Sequence, residues 1–262
     1  MRAPRWLSPR AMSAPLLVLA LLMVACGRSG DGTVTVIVDG TPQSVVAGST
    51  EVVSTPEPLP FTPTSPASLL DLEDLHGFVY PVEAACLPGS DALMPNAPRE
   101  YRNGVHEGVD FYDLSACARV SRGTPVLAMF GGVVTRADLN YEDITARQIA
   151  DLTDRTASQG FSDPQTLDVY RGRQIWIDHG DGVVTRYAHL EAIEPGLDVG
   201  VEVQRGAVIG AVGESGTPES VIAPGTELHP HVEVRIGDSF LGAGLPPAEV
   251  RALYERLFTV EE

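Results

Sequence analysis

Five residues of this chain have the types and spacing to do chemistry together: His106, Asp110, His189, His229 and His231. Three of them suffice for a catalytic zinc. Such an ion takes three protein ligands through imidazole nitrogen or carboxylate oxygen, each about 2 Å away, and keeps a fourth position for water. Two imidazoles would remain to move a proton and to stabilise an oxyanion. The chain has only six histidines, and the segments His106-Glu-Gly-Val-Asp110 and His229-Pro-His231 offer candidates for all three ligands. In an extended strand, residues i and i+4 stand about 13 Å apart, near the limit of what two side chains can bridge. The chain must therefore bend between His106 and Asp110, and Gly108 permits it. His229 and His231 lead into Val232-Glu233-Val234-Arg235, so as strand residues two apart they project from one face. Burying both as core histidines would need two sets of hydrogen-bond partners, a demand that a metal and a water meet together. Along 183–190, strand alternation puts Val183, Thr185, Tyr187 and His189 on one face. His179, in the turn His179-Gly-Asp-Gly182, and His76, beside Gly77, read as a strand-end and a surface residue.

The elements that must position these side chains are short, rich in Val and Ile, and separated by glycine-containing turns: 125–129, 132–136, 174–178, 183–190, 208–212 and 231–236. This spacing predicts a mainly β, antiparallel domain with one core over residues 77–241. Residues 141–170 are polar and lack alternation, and read as a helix and loop inserted between two strands. In 242–262, Val250, Leu253, Tyr254 and Leu257 recur at helical spacing behind Pro246-Pro247, which predicts a C-terminal amphipathic helix packed on the sheet.

Upstream of the domain, residues 1–25 read as an export signal, with Arg2, Arg5 and Arg10 as a basic region and an apolar run over 14–25. A membrane span needs about 20 apolar residues, and this run is shorter. Residues 26–76 hold a short β hairpin over 33–46 and a spacer over 56–66 that is rich in proline, threonine and serine. Export makes Cys86 and Cys117 an even pair in an oxidising compartment, and a disulfide there would close a loop of about 30 residues. The competing reading, a second metal site, lacks close Cys-x-x-Cys spacing. The formal charge is −17 and moves to −20 on loss of the three signal arginines. Clustered basic residues are what nucleic-acid binding requires, so a nucleic-acid partner is excluded as the expectation.

Met23-Val24-Ala25-Cys26 resembles a bacterial lipoprotein signal. That resemblance implies a lipid on Cys26, a membrane tether through the lipid, and an extracytoplasmic location in the cell envelope. Residues 100–237 resemble the lysostaphin-type zinc endopeptidases, which cut peptidoglycan peptides. The His-x-x-x-Asp and His-x-His segments carry the likeness, together with Tyr187-Ala-His189-Leu190, Arg122-Gly-Thr-Pro-Val126, Gly206-Ala-Val-Ile-Gly210 and Gly213-Glu-Ser-Gly-Thr217. The resemblance implies an antiparallel β-sheet peptidase domain with an open groove. It further implies Zn2+ on His106, Asp110 and His231, with His189 and His229 working on the water and the oxyanion. Peptidoglycan peptides are then the expected substrate, with other cell-wall enzymes as further partners. The alternative is a non-catalytic regulator that binds the wall and activates other wall hydrolases, for which a missing ligand would be the mark. Three positions depart from the family pattern: Pro230 and Val232 beside the last ligand, and the length of 141–170. Pro230 has no N–H, so it should sit where no ladder bond is needed.

Overall fold

The structure, a computed structural model, describes residues 33–38, 41–46 and 75–259. The chain divides into two compact units, residues 1–63 and 64–262. In the first, β1 (Thr33–Val38) pairs antiparallel with β2 (Thr41–Val46), with Val38 opposite Thr41. The export signal, Cys26 and the proline-rich spacer lie outside the described residues.

The second unit is mainly antiparallel β. It begins with the small pair β3 (Pro98–Arg99) and β4 (Gly104–Val105), then β5 (Val109–Asp110), β6 (Pro125–Leu127) and β7 (Gly132–Ala137). Two helices follow, α1 (Ala146–Gln159) and α2 (Pro164–Arg171), and then β8 (Ile175–Asp178), β9 (Val183–Ala188) and β10 (Leu190–Ile193). The chain continues through β11 (Glu202–Val203), β12 (Val208–Val212), the short α3 (Glu219–Ile222), β13 (His231–Ile236), β14 (Ser239–Phe240) and α4 (Pro247–Leu257). The main sheet runs β11-β7-β8-β9-β13-β14, with β5 pairing the start of β13, and a smaller sheet runs β10-β12-β6. Among the described residues, no helix is long and apolar enough to cross a membrane.

Alternate residues of the central strands build the core. Val134, Ile175, Ile177, Val183, Tyr187, Val232 and Val234 meet Val126, Leu190, Ile209 and Val212 of the smaller sheet and Val250, Tyr254 and Leu257 of α4. Each such side chain contributes about 1.5–3 kcal/mol when fully buried. Cys86 and Cys117 are joined by a disulfide across a Cα–Cα distance of 5.5 Å.

The segment between β7 and β8 is two helices rather than a helix and loop. Thr145 and Gln148 form a reciprocal capping box at the start of α1, and Gly160 at φ 78° ends it. Asp163 accepts from the backbone N–H groups of Gln165 and Thr166, and Pro164 sits in the first turn of α2. One expectation fails: residues 183–190 are not one strand. β9 belongs to the main sheet and β10 to the smaller one, and His189 is the corner between them.

Candidate metal centre

The site is built across three strands. His231, the first residue of β13, lies opposite Asp110 of β5 on one side and opposite Ala188 of β9 on the other. Pro230 stands just before the strand, contributing its carbonyl to the N–H of Phe111 at 3.2 Å, so its missing N–H costs no ladder bond. The chain bends at Gly108, although φ there is not positive. A Cβ on Gly108 would lie 2.3 Å from the Val232 carbonyl oxygen, so close approach of β13 is what requires glycine. The bend folds His106 back onto Asp110. His106 Nε2 lies 2.9 Å from Asp110 Oδ1 and 2.9 Å from His231 Nδ1, and His231 Nδ1 lies 2.7 Å from Asp110 Oδ1.

Whether these atoms suit a cation follows from where their protons are held. His106 Nδ1 is 3.0 Å from the Met94 carbonyl oxygen, which can only accept, so this nitrogen carries the hydrogen and a neutral His106 turns a bare Nε2 inward. His231 Nε2 faces Glu233 Oε1 at 3.3 Å, which leaves Nδ1 bare in the same way. Three buried acceptors therefore face one another. They repel unless a positive charge lies among them, a proton on His231 or a metal ion, and Zn2+ would satisfy all three at once, with two imidazoles and one carboxylate as the donor set.

His189 and His229 complete the cluster. His229 stacks on Tyr112 with ring centroids 4.1 Å apart, and its Nε2 is 3.6 Å from Asp110 Oδ1. Its Nδ1 is held by the Glu227 carbonyl oxygen at 2.8 Å. His189 corrects an expectation: it does not share a face with Val183, Thr185 and Tyr187. Those three are buried in the core, whereas His189 has φ 58°, a left-handed conformation that breaks the alternation. Its ring instead meets His229 and His231, at centroid distances of 4.8 and 5.7 Å. Two carbonyls hold this corner. The His189 N–H donates to the Arg171 carbonyl oxygen at 2.9 Å, and its Nδ1 lies 2.8 Å from the Ser215 carbonyl oxygen.

The loop after β12 supplies these anchors through tight backbone contacts. A Cβ on Gly172 would lie 2.1 Å from the Ser215 carbonyl oxygen, and one on Gly216 would lie 2.3 Å from the Gly172 nitrogen. Only glycines let the end of α2 and this loop touch. The Ser215 hydroxyl accepts from Arg173 N at 2.9 Å, and the buried Glu214 carboxylate accepts from Gly225 N at 2.7 and 2.9 Å and also pairs with Arg122.

Behind His231 lies an ionic network that sequence reasoning did not identify. Glu233 accepts from Arg171 Nε at 2.6 Å and lies near Arg235 and Arg186 at 3.3 and 3.4 Å. Glu107 accepts from Arg171 and Arg235, both at 2.8 Å. Part of this was legible, because period-two spacing puts His231, Glu233 and Arg235 on one face of β13. Despite burial, which alone would raise it, Glu233 is held well below the usual carboxylate range by His231 and the arginines. Asp110 is likewise held low against the push of burial by the imidazoles of His106, His229 and His231.

The imidazoles are tuned apart. Burial lowers His106 to about 4, against the opposing pull of Asp110. Burial also lowers His229, and it lowers His189 well below the ordinary value, with His229 and His231 adding to the effect. Burial pulls His231 down too, but the Asp110 and Glu233 carboxylates at its two ring nitrogens favour the protonated ring, outweigh burial and raise it. The five side chains line a cleft of about 720 Å³, walled partly by Ile149 and Thr153 of α1 and Tyr170 of α2. His179 is structural, tied to the Gly131 carbonyl oxygen and the Thr185 hydroxyl at 2.8 Å each. His76 is partly buried and does not line the cleft.

A mainly antiparallel β domain that gathers a His-Asp-His donor set and two more imidazoles in one cleft is a metal-binding protein with a zinc-type site. Residues 155–241 match the profile of "Peptidase family M23". The matched span contains His189, His229 and His231. His106 and Asp110 lie upstream of it, and the fold brings them in. Among solved structures, a zinc-containing peptidase from Vibrio cholerae is 23% identical with a TM-score of 0.41, covering 65% of this chain and 41% of that one. The catalytic domain of the prophage-encoded M23 protein EnpA from Enterococcus faecalis is 20% identical with a TM-score of 0.39, covering 65% and 95%. The catalytic domain of lysostaphin from Staphylococcus simulans is 23% identical with a TM-score of 0.32, covering 53% and 74%. No curated protein sequence matches the chain.

Proposed function

We propose that this chain is an exported zinc metalloendopeptidase that hydrolyses peptide bonds in peptidoglycan stem or cross-bridge peptides. The observation that carries this reading is the convergence of His106, Asp110, His231, His189 and His229 in one cleft. The first three are assigned as ligands because their inward atoms lie 2.7–2.9 Å from one another. When bound, zinc supplies Lewis acidity and makes water a nucleophile near neutral pH. His189 and His229 each have Nδ1 engaged by a backbone carbonyl, which leaves Nε2 for the cleft. When neutral, each ring keeps its hydrogen on Nδ1, so either Nε2 can accept a proton. One takes the proton of water through Nε2, and the other, as imidazolium, donates from Nε2 to the tetrahedral oxyanion. The regulator reading depends on a missing ligand, and all five side chains are present.

Export and lipid tethering through Cys26 are supported by the basic and apolar segments of residues 1–25 and by the Cys86–Cys117 disulfide, which suits an oxidising compartment. A tether at the membrane face and a spacer behind the domain would direct the cleft at wall peptides, beside other wall enzymes. His231→Ala should lose zinc by elemental analysis, whereas His189→Ala should keep zinc and lose turnover. Mass spectrometry of fragments from defined cross-linked wall peptides, with and without a zinc chelator, tests the activity directly. Absence of any chelator-sensitive product would refute it.

A further inference from the structure

We propose that Arg102 is a carboxylate-recognising residue of the cleft, so that the peptide bound there carries a free carboxylate. This rests on the peptidase reading above. Arg102 lines the same cleft as His106 and His231, yet only 7% of its surface is exposed. Its Nη2 donates to the Val105 carbonyl oxygen at 2.7 Å, its Nε is buried without a partner, and its guanidinium lies 5.9 Å from the Tyr101 ring centroid. Among the described residues, no carboxylate pairs with it.

That isolation is unusual within this site. Arg171, also 7% exposed, is paired with Glu233 and Glu107. Arg99, in the same cleft, is paired with Asp110 at 3.0 Å. The chain carries 35 acidic residues against 18 arginines, so a lone buried guanidinium does not reflect a shortage of acids. Glu219 and Glu227 also line the cleft, but neither reaches Arg102, and Glu227 is engaged by the Tyr112 hydroxyl. A desolvated cation without a counter-ion is costly to keep, and a ligand anion would relieve that cost.

The surroundings fit such a ligand. Tyr101 and Tyr170 meet edge to face at 6.0 Å, and Ile149 and Thr153 of α1 add a further wall. The backbone is fixed as well: the Ser162 hydroxyl donates to the Arg102 carbonyl oxygen at 2.8 Å and lies 3.0 Å from the Thr156 hydroxyl. A guanidinium fork held beside apolar walls matches a carboxylate on a short aliphatic stem.

The test uses the zinc-loaded protein and two probes, a wall stem peptide with free carboxylates and the same peptide amidated. Binding is read by calorimetry, and cleavage by mass spectrometry of the same samples. Wild type should bind the acid form about 10- to 100-fold more tightly. Arg102→Gln should bind both forms alike, and Arg102→Lys should keep part of the preference, each with unchanged zinc content. Equal binding of the two forms by wild type, no binding of either, or a preference that survives Arg102→Gln overturns the proposal. Should Arg102→Gln fail to fold, the wild-type comparison and Arg102→Lys decide. Preference without cleavage would sink the peptidase reading and keep the carboxylate site. Cleavage without preference would do the reverse.

Discussion

Gly108→Ala tests whether the approach of β5 to β13 sets the metal geometry. The added Cβ would lie 2.3 Å from the Val232 carbonyl oxygen, 2.8 Å from its carbon and 2.9 Å from His231 Cε1, whereas ordinary contact begins at 3.4 Å. The obstacle is mostly backbone in a paired strand, so the two chains must separate by about 1 Å. Metal–ligand distances tolerate only about ±0.2 Å, and His106 and Asp110 would move together away from His231. Loss of an outer-shell partner alone weakens metal binding about 10- to 100-fold, so displacing two direct ligands should weaken zinc at least about 100-fold. Overpacking of this kind also costs about 1–3 kcal/mol of stability. Competition against a chromogenic chelator measures the affinity, and circular dichroism checks the fold. Gly89→Ala is the control, since a Cβ there meets nothing within 4 Å. A folded Gly108→Ala protein with wild-type zinc affinity would refute the argument that close approach builds the site.

Glu233→Gln should weaken zinc about 10- to 100-fold by releasing His231 Nε2; unchanged affinity in the same titration would mean that the strand alone orients the ring. Replacing Cys86 and Cys117 together by serine should cost about 2–5 kcal/mol in thermal or urea unfolding and leave zinc content intact. The pair Asp168–Arg136 should make stability acid-sensitive. Burial would raise Asp168, but Arg136 and Gln174 hold it below its usual value, so its contribution is full above about pH 4 and fades as pH falls through the lowered value. The urea midpoints of wild type and Asp168→Asn should therefore differ at pH 6 and draw together as pH falls below about 4; a constant gap would show that the charge is irrelevant.

Much of the centre was legible because its residue types are scarce and fall in short, closely spaced segments. The segments 208–212 and 231–236 are strands over the expected residues, each rich in valine and isoleucine and bounded by turn residues. The two-residue strands β3, β4, β5, β11 and β14 are too short to carry a period. His189 was misplaced on the core face because the pattern Thr185, Tyr187, His189 continues smoothly through the corner, and nothing local announces a left-handed residue there. The support of His231 by Arg171 was not legible either. Arg171 arrives from the helices between β7 and β8, through a backbone contact between Gly172 and Gly216 that no short-range pattern encodes.

That glycine contact divides the β7–β8 connection into parts with different freedom to change. Arg171 to Arg173 hold His189, Ser215 and Glu233, so alterations there would reach the imidazoles directly. The first helix touches the cleft only through Ile149 and Thr153. A chain with this layout can trade one jaw for another, by lengthening, shortening or resurfacing 141–160, while its hinge stays fixed. What the cleft admits can then change while the backbone that holds the imidazoles does not.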